Sequence, residues 1–289
     1  MRTSVFACGD PFEIHELMKK SALQYWLRYY RAEIRAALLI QLQYRAAFVI
    51  WLLEMIIEPV VYLVVWSTVA RARGGEVGGF SPEDFAAYFI VFMLVNHFTY
   101  SWTFYVFEER VRTGKLSFRL LRPLHPIHSD LAFNLTYKFL TLVVMLPTGI
   151  GLTLAFHPAF EFTAGQVLLA VPAVALAFGV RFVFEWAYAL VAFWTTRIMA
   201  LNEMYYVILL FLSGQVAPLS LFPDWVQTLS YVLPFRWMVA FPVELLLGHL
   251  DRGQIIAGFV AQAAWLGLSF LLLKWLWARG VRRYSAVGG

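Results

Sequence analysis

Residues 211–248 read FLSGQVAPLSLFPDWVQTLSYVLPFRWMVAFPVELLLG, a stretch as apolar as a membrane span yet punctuated by Gly214, Pro218, Pro223, Pro234, Pro242 and Gly248. Each proline removes a backbone donor and crowds the preceding turn, which disfavours one straight helix through the whole stretch. Irregular backbone at membrane depth has to be buried in protein or line a wet cavity. The pattern predicts a helix that ends between Gly214 and Pro218, then short helical pieces near one face of the bilayer. Asp224 and Trp225 start one such piece after Pro223, and Trp225, Tyr231 and Trp237 are expected at interfacial depth. The earlier helices look arranged to serve this broken cap.

Outward from that stretch, composition points to a polytopic membrane protein. Of 289 residues 61% are hydrophobic and 14% charged, with a mean hydropathy of +0.68, whereas a soluble domain carries about 25% charged residues. The single Cys8 excludes an internal disulfide framework and a cysteine-rich metal site. The opening MRTSVFACGDPFEIHE lacks the uninterrupted apolar core of a secretory signal. Residues 1–20 are expected to be disordered, and Met18 is an alternative start.

Residues 21–45 interleave Arg28, Arg31, Arg35 and Arg45 with Trp26, Tyr29, Tyr30 and Leu38, the pattern of an amphipathic helix lying on a membrane surface. Six apolar runs follow at about 46–70, 84–107, 131–156, 166–194, 203–222 and 254–278, each near the ~20 residues a bilayer needs. The fold class is therefore all-α, a single transmembrane domain over 21–280 with a short tail at 281–289. With the N-terminus inside, 17 of the 23 Lys and Arg fall on the cytoplasmic side, which predicts both termini there. Residues 211–248 then face outward.

The most basic short segment is EERVRTGKLSFRLLRPLHPIHSD, 108–130. Glu108 to Leu121 can form a short helix with Val111, Leu116 and Leu120 on one side, stopped by Pro123 and Pro126. Such a helix docks into a soluble partner or merely sets topology against lipid head groups. His125 and Asp130 have the spacing of some acyltransferase base pairs, and His125 and His128 a metal-like spacing. A polar turn accounts for both, since no third ligand or phosphate-binding context lies nearby.

Charges inside spans each cost several kcal/mol unless paired or hydrated. Arg181 and Glu185 lie four apart in the fourth run and share a helix face, which favours an ion pair over a contact with a charged head group. Glu54 and Glu58 share a face just before Pro59 with no basic neighbour in sequence. They line a wet path, pair with Arg181 or face another subunit. No GxxxxGK[ST] phosphate loop occurs, so the chain does not hydrolyse nucleotide by that route. Nothing combines basic and exposed aromatic residues in a soluble setting, which argues against nucleic acid as a partner.

In SGQVAPLSLFPDW (213–225) and YVLPFRWMVAFPVELLLG (231–248) the chain resembles the membrane subunit of an ABC-2-type exporter. It looks nearest to poorly characterised permeases that work in pairs. The resemblance covers about residues 20–280 and implies a re-entrant segment carrying Gly214, Pro218, Pro223, Asp224, Trp225 and Pro234. Arg236-Trp237 departs from the looser family pattern. The resemblance also implies an ATPase-coupling loop at Glu108, Arg110, Arg112, Gly114, Lys115, Arg119, Arg122 and Pro123. On this reading the chain is a permease in the cell membrane, an inner membrane in bacteria. It binds no cofactor, and ATP and Mg sit on a separate ATP-binding cassette subunit. A second copy or a related permease, and membrane lipid, are its other partners. The substrate expected is hydrophobic or amphipathic. A proton-coupled secondary transporter using Glu54, Glu58 and Arg181 is the alternative, and an intramembrane acyltransferase built on His125 and Asp130 a further one.

Overall fold

The computed structural model describes residues 22–195 and 198–284. The disordered start expected over 1–20, with Cys8 and Met18, lies outside them, as do Arg197 and residues 285–289 of the tail. Among the described residues every regular element is helical, apart from one isolated bridge between Val77 and Phe80. The helices are α1 (Ala22–Gln43), α2 (Arg45–Ala72), α3 (Pro82–Thr99), α4 (Thr103–Arg112), α5 (Leu116–Leu120) and α6 (Ile127–Phe156). They continue as α7 (Ala164–Ala189), α8 (Met199–Leu212), α9 (Asp224–Val232), α10 (Phe235–Met238), α11 (Ala240–Leu246) and α12 (Arg252–Arg283).

Five stretches among the described residues are long and apolar enough to cross a bilayer: Val49–Ala72, Pro82–Arg112, Ile127–Phe156, Ala164–Phe193 and Arg252–Arg283. They match five of the six expected runs. The remaining run, expected over 203–222, is helical only as the 14 residues of α8. That helix is about 21 Å long, and the chain leaves it at Gly214, whose φ of +80° suits a residue without a Cβ. Pro59, Pro147 and Pro172 lie inside α2, α6 and α7, which nevertheless continue through them. The second run differs from expectation as well. It is broken at Tyr100–Trp102 between α3 and α4, where Lys138 Nζ donates to the Tyr100 carbonyl at 2.5 Å.

The bundle has two distinct ends. At one, α3, α7 and α12 start in reciprocal caps, Ser81 with Asp84, Thr163 with Gln166 and Asp251 with Gln254. Each cap satisfies backbone donors that the first turn leaves open. The broken segment 213–251 covers this end, and Tyr88 Oη donates to the Gly214 carbonyl at 2.7 Å beneath it. At the other end lie α1, the 113–126 loop and the close of α12, linked by Tyr30 Oη with His128 at 2.9 Å and Ser117 Oγ with Tyr284 Oη at 3.0 Å. The second span forms the hub, with 78% of its most apolar window inside the protein against 17% for the first, third and last spans. Those three keep faces open to lipid or to another chain.

Two expectations are corrected. Trp237 is not an exposed anchor: it is 6% exposed and packs with Ala170, Ala173, Phe241 and Leu245, while Trp225 and Tyr231 are exposed. Residues 108–121 do not form one helix. Glu108 to Arg112 belong to α4, and Gly114 at φ +71° turns the chain into the separate α5.

Helix α12 lies along α7 and is seated by two glycines. A Cβ at Gly258 would overlap the Phe241 ring, and one at Gly280 the Phe193 ring. Between them the buried Gln262 donates to the carbonyls of Ala173 at 3.0 Å and Trp237 at 2.9 Å. Overpacking such a seam costs about 1–3 kcal/mol. Gly280→Ala is therefore expected to lower the melting temperature of the detergent-purified protein. Gly267→Ala, on the same helix with no atom within 4 Å of its new methyl, should leave it unchanged or raise it.

Candidate functional site

The loop end is organised by a carboxylate. Asp130, 5% exposed at the start of α6, accepts from Arg110 Nη1 at 2.8 Å, Arg119 Nη1 at 3.2 Å and Trp186 Nε1 at 3.1 Å. These donors come from α4, α5 and α7, so one side chain gathers four helices. Arg119 also donates to Ser129 Oγ at 2.7 Å. Leu116 is fully buried, and Val111 and Leu120 pack against the core. The apolar side foreseen for this segment therefore faces the bundle, split across two helices. Phe118 and Leu121 face away from it, 73% and 83% exposed.

The coupling-loop residues named from the sequence consequently divide. Arg110 and Arg119 point inward to Asp130. Arg112, Lys115 and Arg122 are exposed, Lys115 bonding Glu109 at 2.6 Å and Arg122 bonding Glu33 of α1 at 3.2 Å. Glu108 lies within α4, Gly114 forms the turn, and Pro123 is exposed beyond α5. His125 is wedged between Trp186 and Trp277, ring centroids 5.1 and 4.2 Å away. Burial, then the neighbouring His128, holds its imidazole down at about 4, so it is neutral at pH 7. Its Nδ1 accepts the Ile127 N–H at 3.3 Å. With Asp130 bound to two guanidinium groups, the pair has the surroundings of a packed joint rather than of a base facing a substrate.

Inside the bundle, Arg181 and Glu185 form the ion pair their spacing predicts, Nε to Oε1 at 2.9 Å, with side chains 2% and 0% exposed. Arg181 Nη1 donates to Asn96 Oδ1 at 2.8 Å, and Tyr205 Oη donates to Glu185 Oε1 at 3.0 Å. The pair thus ties α3, α7 and α8 together. It lies at the inner end of a groove bounded by α2, the α3–α4 break and α8. Two adjoining hollows of about 400 and 240 Å³ make up this groove, sharing Glu54, Tyr100, Tyr105, Arg181 and Tyr206. Glu54 and Glu58 both line it. Glu58 accepts from Tyr206 Oη at 2.8 Å and Gln215 Nε2 at 2.7 Å, whereas Glu54 is exposed on the groove wall.

A third cavity, about 470 Å³, opens beneath the broken segment and holds the Arg236–Glu244 ion pair beside Asp84, Tyr88, Tyr231 and His249. The Arg236 guanidinium lies 4.2 Å from the centre of the Tyr231 ring. Of the residues singled out there, Gly214 makes the turn after α8 and Pro218 precedes a single 3-10 turn, Leu219–Leu221. Pro223 and Pro234 precede α9 and α10, and Asp224 opens α9.

Sequence reasoning missed Asp130 as an acceptor hub and missed Trp186, Glu203, Tyr205, Tyr206 and Gln215. The hydrogen-bond partners of the Asp130, Trp186, Tyr205, Tyr206 and Gln215 side chains lie 11 or more residues away, beyond the reach of helical spacing, and Glu203 matters only through the groove it lines. Phe118 and Leu121 carried a legible signal, since both fall off the Val111–Leu116–Leu120 side.

A family model described as ABC-2 family transporter protein matches residues 56–288. No curated protein matches the chain.

Removing Asp130 would leave Arg110 and Arg119 without their shared counter-charge, a loss of about 3 kcal/mol for a largely buried pair. Trp186→Phe removes one hydrogen bond, worth about 1 kcal/mol. Asp130→Ala is therefore expected to lower the melting temperature more than Trp186→Phe and to make residues 113–126 sensitive to protease. Limited proteolysis and thermal unfolding of the two variants check this order.

Proposed function

The chain belongs to the ABC-2 transporter family, and from that premise we propose that it is the membrane subunit of an exporter driven by a separate ATP-binding cassette subunit. Its substrate is hydrophobic or amphipathic. The observation that carries the coupling role is the outer face of α5. Phe118 and Leu121 project from it beside the exposed Arg112, Lys115 and Arg122. An apolar knob with a basic rim fits a cleft with an acidic rim on a soluble partner. Behind the knob, Arg119 bonds Asp130, and Asp130 bonds Trp186 of α7. A push on α5 therefore has a short hydrogen-bonded route into the core of the bundle.

In this reading ATP and Mg act on the partner, and a second permease, identical or related, completes the assembly. The termini and the 113–126 loop lie in the cytoplasm, as the Lys and Arg distribution supports. Helix α8 with the turn that follows it serves as a shortened fifth of six spans, and α9–α11 form an outward re-entrant cap. The proton-coupled alternative draws on Glu54, Glu58 and Arg181. It is disfavoured because Arg181 is held in a buried ion pair with further donors and acceptors around it.

Two experiments test the proposal. Phe118→Ala/Leu121→Ala should lose co-purification with the ATP-binding subunit by about tenfold or more while keeping its melting temperature, because neither side chain packs on its own bundle. Undiminished association, with ATP hydrolysis still responsive to the permease, overturns the docking role. For orientation, single cysteines on a Cys8→Ser background are read with an impermeant thiol reagent in intact cells. Glu76→Cys and Asp224→Cys should label and Lys115→Cys should not, and the reverse pattern overturns the topology.

A further inference from the structure

We propose that the groove between α2, the α3–α4 break and α8 recognises a lipophilic organic cation with aromatic or flat apolar surface. This deepens the transport role proposed above and rests on it. The two hollows form one continuous site, large enough for a ligand of drug size.

Charge decides the class of ligand. The cation on the wall, Arg181, is already committed to Glu185 and Asn96. Beyond that pair the groove carries Glu54, Glu58 and Glu203. Glu58 takes two neutral donors, and neither Glu54 nor Glu203 has a hydrogen bond or ion pair among the described residues. The inner end adds an independent sign. Glu185 is fully buried and lines the smaller hollow, and its Oε2 is met by no well-aligned donor among the described residues, with the Ser101 hydroxyl close to the carboxylate. A buried carboxylate oxygen left open in this way is costly unless something donates to it or brings a positive charge near.

The lining supplies the other half of the recognition. Trp51 and Trp102 meet edge to face with centroids 5.4 Å apart, and Tyr100, Tyr105 and Tyr206 complete an aromatic wall. Ring faces attract cations and cover apolar surface at once. An anion would face the surplus carboxylates. A neutral lipid would strip them of water without compensation. A cation with apolar bulk satisfies both the charges and the rings.

The test uses the full-length protein in lipid nanodiscs and two probes of equal size and opposite charge, tetraphenylphosphonium and tetraphenylborate, with empty nanodiscs subtracted. Saturable binding is expected for tetraphenylphosphonium and not for tetraphenylborate. Glu54→Gln and Glu203→Gln should each weaken it about tenfold, the equivalent of about 1.4 kcal/mol. Glu54→Asp and Glu203→Asp should hold it within about threefold. Both positions are exposed, so unchanged gel-filtration profiles separate lost binding from lost fold. Equal binding of the two probes, or glutamine variants that bind as well as the parent, overturns the assignment. ATP-driven uptake into proteoliposomes with the partner subunit reports on the transport reading separately. Carboxylate-dependent binding without such uptake keeps the site and removes the exporter. ATP-driven movement of a neutral lipid with no discrimination between the probes keeps the exporter and removes the cation site.

Discussion

A guanidinium and a carboxylate shut away from water have to answer each other, and Arg181 and Glu185 do so at the centre of this bundle. An isolated charge there would cost several kcal/mol, while the pair is tolerable only if its remaining donors and acceptors are met. Asn96 from α3 and Tyr205 from α8 meet two of them. The pair thereby fixes which helices may be neighbours, and the groove exists because α8 must stand close enough for its tyrosine to reach Glu185. Helix α2, with no such tie to the pair, is held to α8 through Glu58 and Tyr206.

Glu185 and Trp186 are consecutive residues that serve two different sites. One accepts hydrogen bonds at the inner end of the groove, and the other donates to Asp130 in the loop cluster. Any ligand that draws on Glu185 acts on the same turn of α7 that holds the loop. If the two are energetically coupled, the coupling is reciprocal: whatever strengthens binding at one site alters affinity at the other by the same factor. The loop cluster is joined through polar side chains rather than apolar packing, whereas an apolar core deforms little.

Much of the fold was legible in the chain. Apolar run length located the five long spans, glycine and proline marked the broken segment, and four-residue spacing paired Arg181 with Glu185. Local signals failed where distant residues decide. Nothing in Tyr100-Ser101-Trp102 announces a break, because the freed carbonyl of Tyr100 is capped by Lys138 from another helix. Glu108 to Leu121 had a plausible helical pattern, yet Arg110 and Arg119 both turn to Asp130, and the left-handed Gly114 between them permits that bend. Trp237 carried the composition of an interfacial anchor but was drawn inward by the packing of α10 and α11 on α7. The groove carboxylate Glu203 was unreadable because its significance depends on α2 lying opposite.

The seating of α12 has a consequence for motion. Gly258 and Gly280 press backbone against the Phe241 and Phe193 rings at two points, separated by about 33 Å along the helix. Phe241 belongs to α11 and Phe193 to the 3-10 turn that follows α7, so α12 is seated on the cap at its start and on the end of the α7 segment at its close, with Gln262 bonding the Ala173 carbonyl of α7 between them. Helix α8 has no such seam. It rests on the short α9 and α10 and hangs from the hydroxyl groups of Tyr205 and Tyr206. A hinge motion in this molecule would centre on the Ser213–Gly214 turn, where the backbone is least constrained, and would carry α8 relative to the better-seated α12.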